Sequence, residues 1–89
     1  MTIKTWTVQV TLDEDGDDTL ANAALSIENK TELRGRGTSR RNPQDESEPL
    51  IGDELAAARA LSDLAHQLLA AAASDIESKT HVPARSLQL

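Results

Sequence analysis

A long run rich in alanine and leucine, ELAAARALSDLAHQLLAAAASDIESK at residues 54–79, most constrains the fold of this chain. The run is strongly helical because alanine favours helix. Its apolar side chains recur at three- and four-residue spacings, which predicts one amphipathic helix packed on a sheet. The predicted inward face consists of Leu55, Ala58, Leu61, Leu64, Ala65, Leu68, Leu69, Ala72 and Ile76. The opposite side carries Arg59, Asp63, His66, Gln67 and Glu77.

The ends of this helix carry recognisable signals. Asp53 is the expected N-cap, and Glu54 complements the positive end of the helix dipole. A single helix here would be about 36–39 Å long, whereas a nine-residue strand spans about 30 Å. The helix therefore either overhangs the sheet or breaks near Ser74, where Ser74-Asp75-Ile76-Glu77 has the capping-box pattern. Pro83 ends any helix after that point.

Two segments before the helix alternate between apolar and polar residues, as half-buried strands do. Residues 4–12 place Trp6, Val8, Val10 and Leu12 on one face, and the following DEDGDD predicts a solvated turn around Gly16. Residues 19–27 place Ala21, Ala23, Leu25 and Ile27 inward. Helix is the competing interpretation of the second segment because alanine favours it, but the flanking turns and short length favour a strand.

The segment TELRGRGTSRR, residues 31–41, holds four of the chain's six arginines and follows a turn at residues 28–30. As a third strand it places Leu33, Gly35, Gly37 and Ser39 on one face. Glycine inside a strand often marks the close approach of another backbone, and the alanine-rich helix is the expected neighbour. The predicted fold class is therefore α+β, a three-stranded antiparallel meander with a long C-terminal helix on one face. Residues 1–83 form the single domain, and residues 84–89 form a flexible tail.

The run from Ile51 to Pro83 resembles a family of small uncharacterised actinobacterial proteins. The opening KTWTVQV, the acidic turn with its glycine and the NP after the arginine-rich strand strengthen this resemblance, which covers nearly the whole chain. The resemblance implies a β-β-β-α architecture with a fold like the double-stranded-RNA-binding domain. It provides no catalytic or binding residues to carry over.

The candidate partner-binding face consists of Arg34, Arg36, Arg40 and Arg41. A solvated sheet face, partly neutralised by Glu28 and Glu32, is the favoured interpretation, and a surface for an acidic partner or phosphate is the alternative. Double-stranded-RNA-binding domains contact phosphates and 2′-hydroxyls, which requires basic residues near the start of the helix after the sheet. This helix begins GDELAAAR, and the net charge of −6 opposes polyanions.

The sequence does not show the groups of residues that enzyme active sites and metal sites need. No serine or threonine is paired with a histidine and an orienting acid, and no glycine-rich loop joins a strand to the helix. His66 and His81 lack zinc-ligand spacing, and there is no cysteine. DEDGDD fails the EF-hand pattern because Thr11 and Asn22 occupy its first and twelfth positions. We expect no enzyme, no cofactor and no metal.

The apolar arc of the predicted helix covers about half of its circumference, more than three strands bury. Partial exposure of Leu64 and Ala71 is one explanation, and a homodimer through a helix flank or an edge strand is slightly favoured. No apolar run reaches bilayer-spanning length and no signal peptide is visible, so we expect a cytoplasmic protein with no membrane partner. The predicted function is a non-enzymatic module for protein–protein contacts, with itself or an unidentified protein. RNA binding through the arginine-bearing face is the alternative.

Overall fold

The computed structural model describes residues 1–27, 32–42 and 48–81. Its elements are β1 (Val8–Asp15), β2 (Asp18–Leu25), β3 (Leu33–Arg40) and α1 (Pro49–Thr80). The strands form one antiparallel sheet in the order β1-β2-β3, and α1 packs on one face of it. The predicted α+β meander with a C-terminal helix is confirmed. The predicted turn at residues 28–30 and the predicted tail lie outside the described residues.

β1 extends further into the acidic segment than the sequence predicts. It begins at Val8 rather than at residue 4 and ends at Asp15 rather than at residue 12. The connection to β2 is only the two residues Gly16–Asp17, and Gly16 has a φ of 63°. Glycine adopts this left-handed conformation without steric cost, which allows so short a turn. Most of the acidic segment is therefore strand, and the prediction of a longer turn is wrong.

The inner face of β2 and β3 agrees with the alternation in the sequence. Ala21 and Ala23 are fully buried and Leu25 is 1% exposed. Across the register Ala21 lies opposite Gly37 and Ala23 lies opposite Gly35, so the two glycines share the buried side. Because these residues are small, they leave a shallow trough along this side of the sheet, which we call the glycine trough. A helix can pack closely against it.

The inward face of α1 differs from the predicted one. The buried helix residues are Ala56, Ala60 and Leu64, which recur every four residues. Leu55 and Leu61, predicted to face inward, are 45% and 43% exposed. Of the other predicted inward residues, Ala65, Leu68 and Leu69 are half-buried, and Ala58, Ala72 and Ile76 are exposed. The glycine trough explains the difference, because Ala56 and Ala60 are small enough to lie where the helix and strand backbones come close together.

Helix and strand meet through their main chains at the two glycines. A Cβ atom placed on Gly35 would lie well within 3.0 Å of the Ala60 carbonyl oxygen and of the Leu64 amide nitrogen. A Cβ atom on Gly37 would meet the main chains of Ala56 and Ala60 in the same way. Neither position can hold a side chain unless the helix moves, because helix main-chain atoms are fixed by their own hydrogen bonds.

Both ends of α1 lie beyond the predicted ones. The helix begins at Pro49, with Glu48 at the N-cap position and no side-chain cap, so Asp53 is not the N-cap. Proline suits the first helical position because its fixed φ is already helical. The helix continues past Ser74 to Thr80 without a break. Its 32 residues span about 48 Å against about 26 Å for an eight-residue strand, so its last turns overhang the sheet.

The substitution Gly35→Ala should destabilise the fold by about 3 kcal/mol, because the added methyl group overpacks a main-chain contact that cannot yield. Urea denaturation followed by circular dichroism measures this loss. The matched control is Gly52→Ala, where the nearest atom to the added Cβ would be a side-chain atom, Thr19 Oγ1 at 3.3 Å, and no main-chain atom would clash. Alanine at that helical position should be neutral or stabilising. Equal effects of the two substitutions would contradict the proposed contact.

Candidate protein-interaction surface

α1 lies off-centre on the sheet, over β3 and β2, and scarcely reaches β1. Two hydrogen bonds hold it at the outer edge of β3. The backbone N–H of Arg36 donates to Asp63 Oδ2 at 2.8 Å, and Arg59 Nη1 donates to the Thr38 carbonyl at 2.7 Å. Asp63 and Arg59 were predicted on the helix side away from the sheet, and this is wrong because both side chains reach the edge of β3. The helix thereby caps that edge.

The inner side of β1 is left uncovered. Val8, Val10 and Leu12 lie opposite residues of β2 that are buried beneath the helix, so they point to the same side of the sheet. Val8 is nevertheless 38% exposed and Leu12 41% exposed, whereas Val10 is half-buried against the core. Trp6, just before the strand, is 57% exposed. Their predicted half-burial is wrong for all but Val10, because the helix sits too far away.

One flank of α1 borders this uncovered strand. The carboxyl group of Asp53 lies close enough to that of Glu14 in β1 to raise the pKa of Glu14, so this side of the helix is turned toward β1. Ala57 and Leu61 follow Asp53 at four-residue intervals and therefore lie along the same flank. We call the corner between strand and helix the open face, and its residues are Trp6, Val8, Val10, Leu12, Ala57 and Leu61.

Among the residues that the structure describes, no strand pairs with the outer backbone edge of β1. In an antiparallel ladder each residue directs its N–H and C=O to one side, and successive residues alternate. Arg36 and Thr38 direct their backbone groups away from β2. Arg36 pairs with Asn22 and Asn22 pairs with Thr11, so the alternation makes Val10 and its even-numbered neighbours direct theirs away from the sheet. Such an edge is a template for another strand.

A pair of carboxyl groups lies at the turn end of the open face. The hydrogen bond to Asp53, together with the repulsion between the two carboxylates, raises the pKa of Glu14 above its usual value of 4.5. Asp53 Oδ1 is buried and lacks a hydrogen-bond partner among the described residues. This pair presents negative charge with an unsatisfied acceptor, which is suited to a cation from outside the chain.

The predicted arginine site is divided by the structure. Arg34, Arg36 and Arg40 share the exposed face opposite the helix, whereas Arg41 is half-buried beyond the end of β3. The ion pairs are Arg34 Nε to Glu32 Oε1 at 2.5 Å, Arg40 Nε to Asp18 Oδ1 at 3.5 Å, and Arg41 Nη2 to Asp17 Oδ1 at 2.6 Å. The predicted neutralisation by Glu32 is present, and Glu28 lies outside the described residues. The two exposed pairs, those of Arg34 and Arg40, stabilise little, but they reduce the charge available to a polyanion.

A cleft of about 270 Å³ lies beside the N-terminus of α1. Its lining includes Glu14, Asp17, Thr19, Ser39, Arg41 and Gly52. Ser39 Oγ donates to the Gly52 carbonyl at 2.8 Å, and Arg41 is bound to Asp17, so these polar groups are engaged in holding the hairpin and helix together. His66 lies apart on exposed helix surface, with Nδ1 2.8 Å from the Ser62 carbonyl oxygen. Within the described ranges, no three histidine, cysteine, aspartate or glutamate residues gather as metal ligands.

In the described part of the chain, no helix has the length and apolar character needed to cross a membrane.

The sequence pattern does not predict the open face, because ranking residues by hydrophobicity places leucine against the sheet ahead of alanine. The available signal is the spacing of small residues on two elements. Ala56 and Ala60 stand four apart on the helix, and Gly35 and Gly37 stand two apart on the strand. These spacings correspond to about 6.0 Å along a helix and about 6.8 Å along a strand, so the residues can meet in pairs. No comparable signal predicts the contact between Glu14 and Asp53.

Comparison with known proteins identifies close relatives. A model of the family described as Rv2632c-like matches residues 4–85. Uncharacterized protein MT1780 of Mycobacterium tuberculosis strain CDC 1551 is 50% identical over 82 residues, covering 92% of this chain and 86% of the relative. Uncharacterized protein Rv2632c of strain H37Rv is 48% identical over 84 residues, covering 94% and 89%. The predicted resemblance to small uncharacterised actinobacterial proteins is confirmed.

A solved structure supports the fold independently. The crystal structure of Rv2632c superposes with a TM-score of 0.84 at 47% identity, covering 93% of this chain and 98% of that one. The likeness to the double-stranded-RNA-binding domain that the resemblance implied stays a prediction.

The free energy of unfolding should fall as pH rises above about 4.5, and Glu14→Gln should remove this part of the fall. Because Asp53 raises the pKa of Glu14, the folded protein keeps a proton that the unfolded chain loses from its usual pKa of 4.5 upward. The contribution is complete below that value and is lost as pH rises through the raised pKa. Denaturant titrations across this range measure it, with Glu54→Gln as the control. Parallel profiles for Glu14→Gln and the wild type would rule out the pair as its source.

Proposed function

The chain belongs to the Rv2632c-like family, and we propose that it is a non-enzymatic module that binds a protein partner through the open face. One observation carries the proposal: large apolar side chains of β1 and α1, Val8, Leu12 and Leu61 among them, are exposed on the strand and on the helix flank that border the uncovered corner. Contiguous exposed apolar surface marks interaction sites on small soluble domains. A cytoplasmic location accords with a chain that has no cysteine.

The geometry favours a partner that supplies an extended strand. Val8, Val10 and Leu12 direct their apolar side chains into the open face and their backbone groups to the free edge of β1. A strand added there would gain main-chain hydrogen bonds, and its alternate side chains would fill the corner beside Leu61. Apolar contact and ladder pairing would therefore be satisfied together by one ligand.

RNA binding through the arginine-bearing face is the second candidate. Its support is that Arg34, Arg36 and Arg40 share one exposed face of the sheet. Two of these arginines are held in ion pairs by Glu32 and Asp18, which weakens their attraction for phosphate. The remaining basic surface is small for an interaction driven by counterion release.

A photo-crosslinking amino acid at Leu61 should form protein adducts in native cells, because that side chain borders the open face. The matched control is the same amino acid at Ser62, the exposed next residue, which points to another side of the helix. Nuclease treatment before analysis separates direct protein contacts from contacts through RNA. Equal adducts at Leu61 and Ser62, or none at either, would overturn the open face as the binding surface.

The double substitution of Arg34 and Arg36 to Glu should leave the Leu61 adducts unchanged, because both arginines lie on the opposite face of the sheet. Fluorescence anisotropy with a labelled RNA duplex, at several salt concentrations, tests the second candidate directly. We expect no salt-dependent binding by the wild type. Binding that the double substitution abolishes would instead make the arginine-bearing face the functional site.

A further inference from the structure

The sequence of β1 and its preceding segment is complementary to itself. At equal distances before and after Gln9, the inner side of the strand carries apolar residues in matching positions. Lys4 lies as far before Gln9 as Glu14 lies after it. We propose that the partner of the open face is a second copy of this chain, whose β1 pairs antiparallel with this β1 about a twofold axis at Gln9. This inference rests on the proposed function and names the partner of the same surface.

A twofold axis perpendicular to the sheet keeps the inner side of both copies on one side. The two three-stranded sheets would join into one of six strands, with both helices on the same face. The inward residues of β1, such as Val10 and Leu12, would then lie between two helix flanks. The exposed apolar area on each copy would be covered by its equivalent on the other.

The register follows from the side chains. With Gln9 at the axis, Val8 lies opposite Val10 of the second copy, Trp6 opposite Leu12, and Lys4 opposite Glu14. An axis at Val8 would set Lys4 against Leu12. An axis at Val10 would set Trp6 against Glu14. Cross-strand pairs of like character stabilise a sheet, so the register at Gln9 is the one that these side chains select.

The charges favour a second copy over an unrelated strand. Glu14 and Asp53 face each other on one chain, and Asp53 Oδ1 has no partner among the described residues. Lys4, one of three lysines in the chain, would approach this pair from the second copy. β2 ends opposite Val8, so the residues before Val8 extend beyond the ladder, where a second β1 would pair with them. The other edge of the sheet is unavailable, because Asp63 and Arg59 cap β3.

The test is a charge exchange measured by sedimentation of the purified full chain. The wild type should be a dimer, and both Lys4→Glu and Glu14→Lys should weaken self-association by at least about tenfold, because each places like charges together twice. An equimolar mixture of these two variants should recover a dimer containing one chain of each, since every close pair is then of opposite charge. A mass tag on one variant identifies the mixed dimer. Glu54→Lys, a charge change of the same sign and size as Glu14→Lys, should leave the dimer unchanged.

A backbone variant tests the strand edge separately. Val10→Pro removes an N–H that points away from β2, and proline is tolerated at such edge positions, so the monomer should fold with its circular dichroism spectrum kept. Loss of the dimer in this variant, with the fold retained, supports pairing of the two β1 edges. A dimer unaffected by Val10→Pro or by the charge exchange would overturn the inference.

The outcomes also separate the two proposals. A wild type that stays monomeric at high micromolar concentration, with Leu61 adducts to another protein in cells, would overturn the second copy and leave the proposed function standing. Leu61 adducts between two copies, together with the recovered mixed dimer, would support both. A monomer without adducts at Leu61 would overturn both.

Discussion

The main-chain contact of α1 with Gly35 and Gly37 determines the rest of this structure. Because neither glycine has a side chain, the helix backbone rests on the strand backbone, and only alanine fits between them at Ala56 and Ala60. The contact fixes the position of the helix across the sheet more firmly than apolar area alone would. Among the described residues, Leu25 and Leu64 are the only large side chains in the buried core, so this domain is stabilised by close packing of small groups in addition to apolar burial.

The position of the helix makes the two edges of the sheet unequal. Over β3 it brings Asp63 and Arg59 to the outer backbone groups, and this edge is closed to other strands. At the opposite edge of the sheet the helix leaves β1 uncovered, and most side chains on the inner side of this strand are apolar. A helix centred on β2 would have covered more of β1 and left the edge of β3 open. The candidate interaction surface is therefore a direct result of where the glycines lie, on the third strand rather than the second.

The strands and their inner faces could be predicted because alternation is a local property of the sequence. Ala21, Ala23 and the glycines of β3 lie where the alternation places them. The helix face could not be predicted by ranking hydrophobicity, because the trough on the sheet selects small residues and excludes Leu61. The shared face of the arginines was predicted from the same alternation. Their partners Asp17 and Asp18 were not, because they come from a hairpin whose register depends on the length of its turn.

The leucines on the exposed flank of α1 link the stability of the domain to the proposed interaction. In a monomeric domain, apolar side chains on a helix flank normally face the core, and Leu61 would stabilise the monomer more if the helix were rotated toward β1. The glycine contact prevents this rotation, since turning the helix would bring side chains larger than alanine against Gly35 and Gly37. The sequence thus combines tight packing at one edge of the sheet with exposed apolar surface at the other. The fold itself therefore depends on β2, β3 and α1, and the exposed apolar surface along β1 is where the proposed partner would bind.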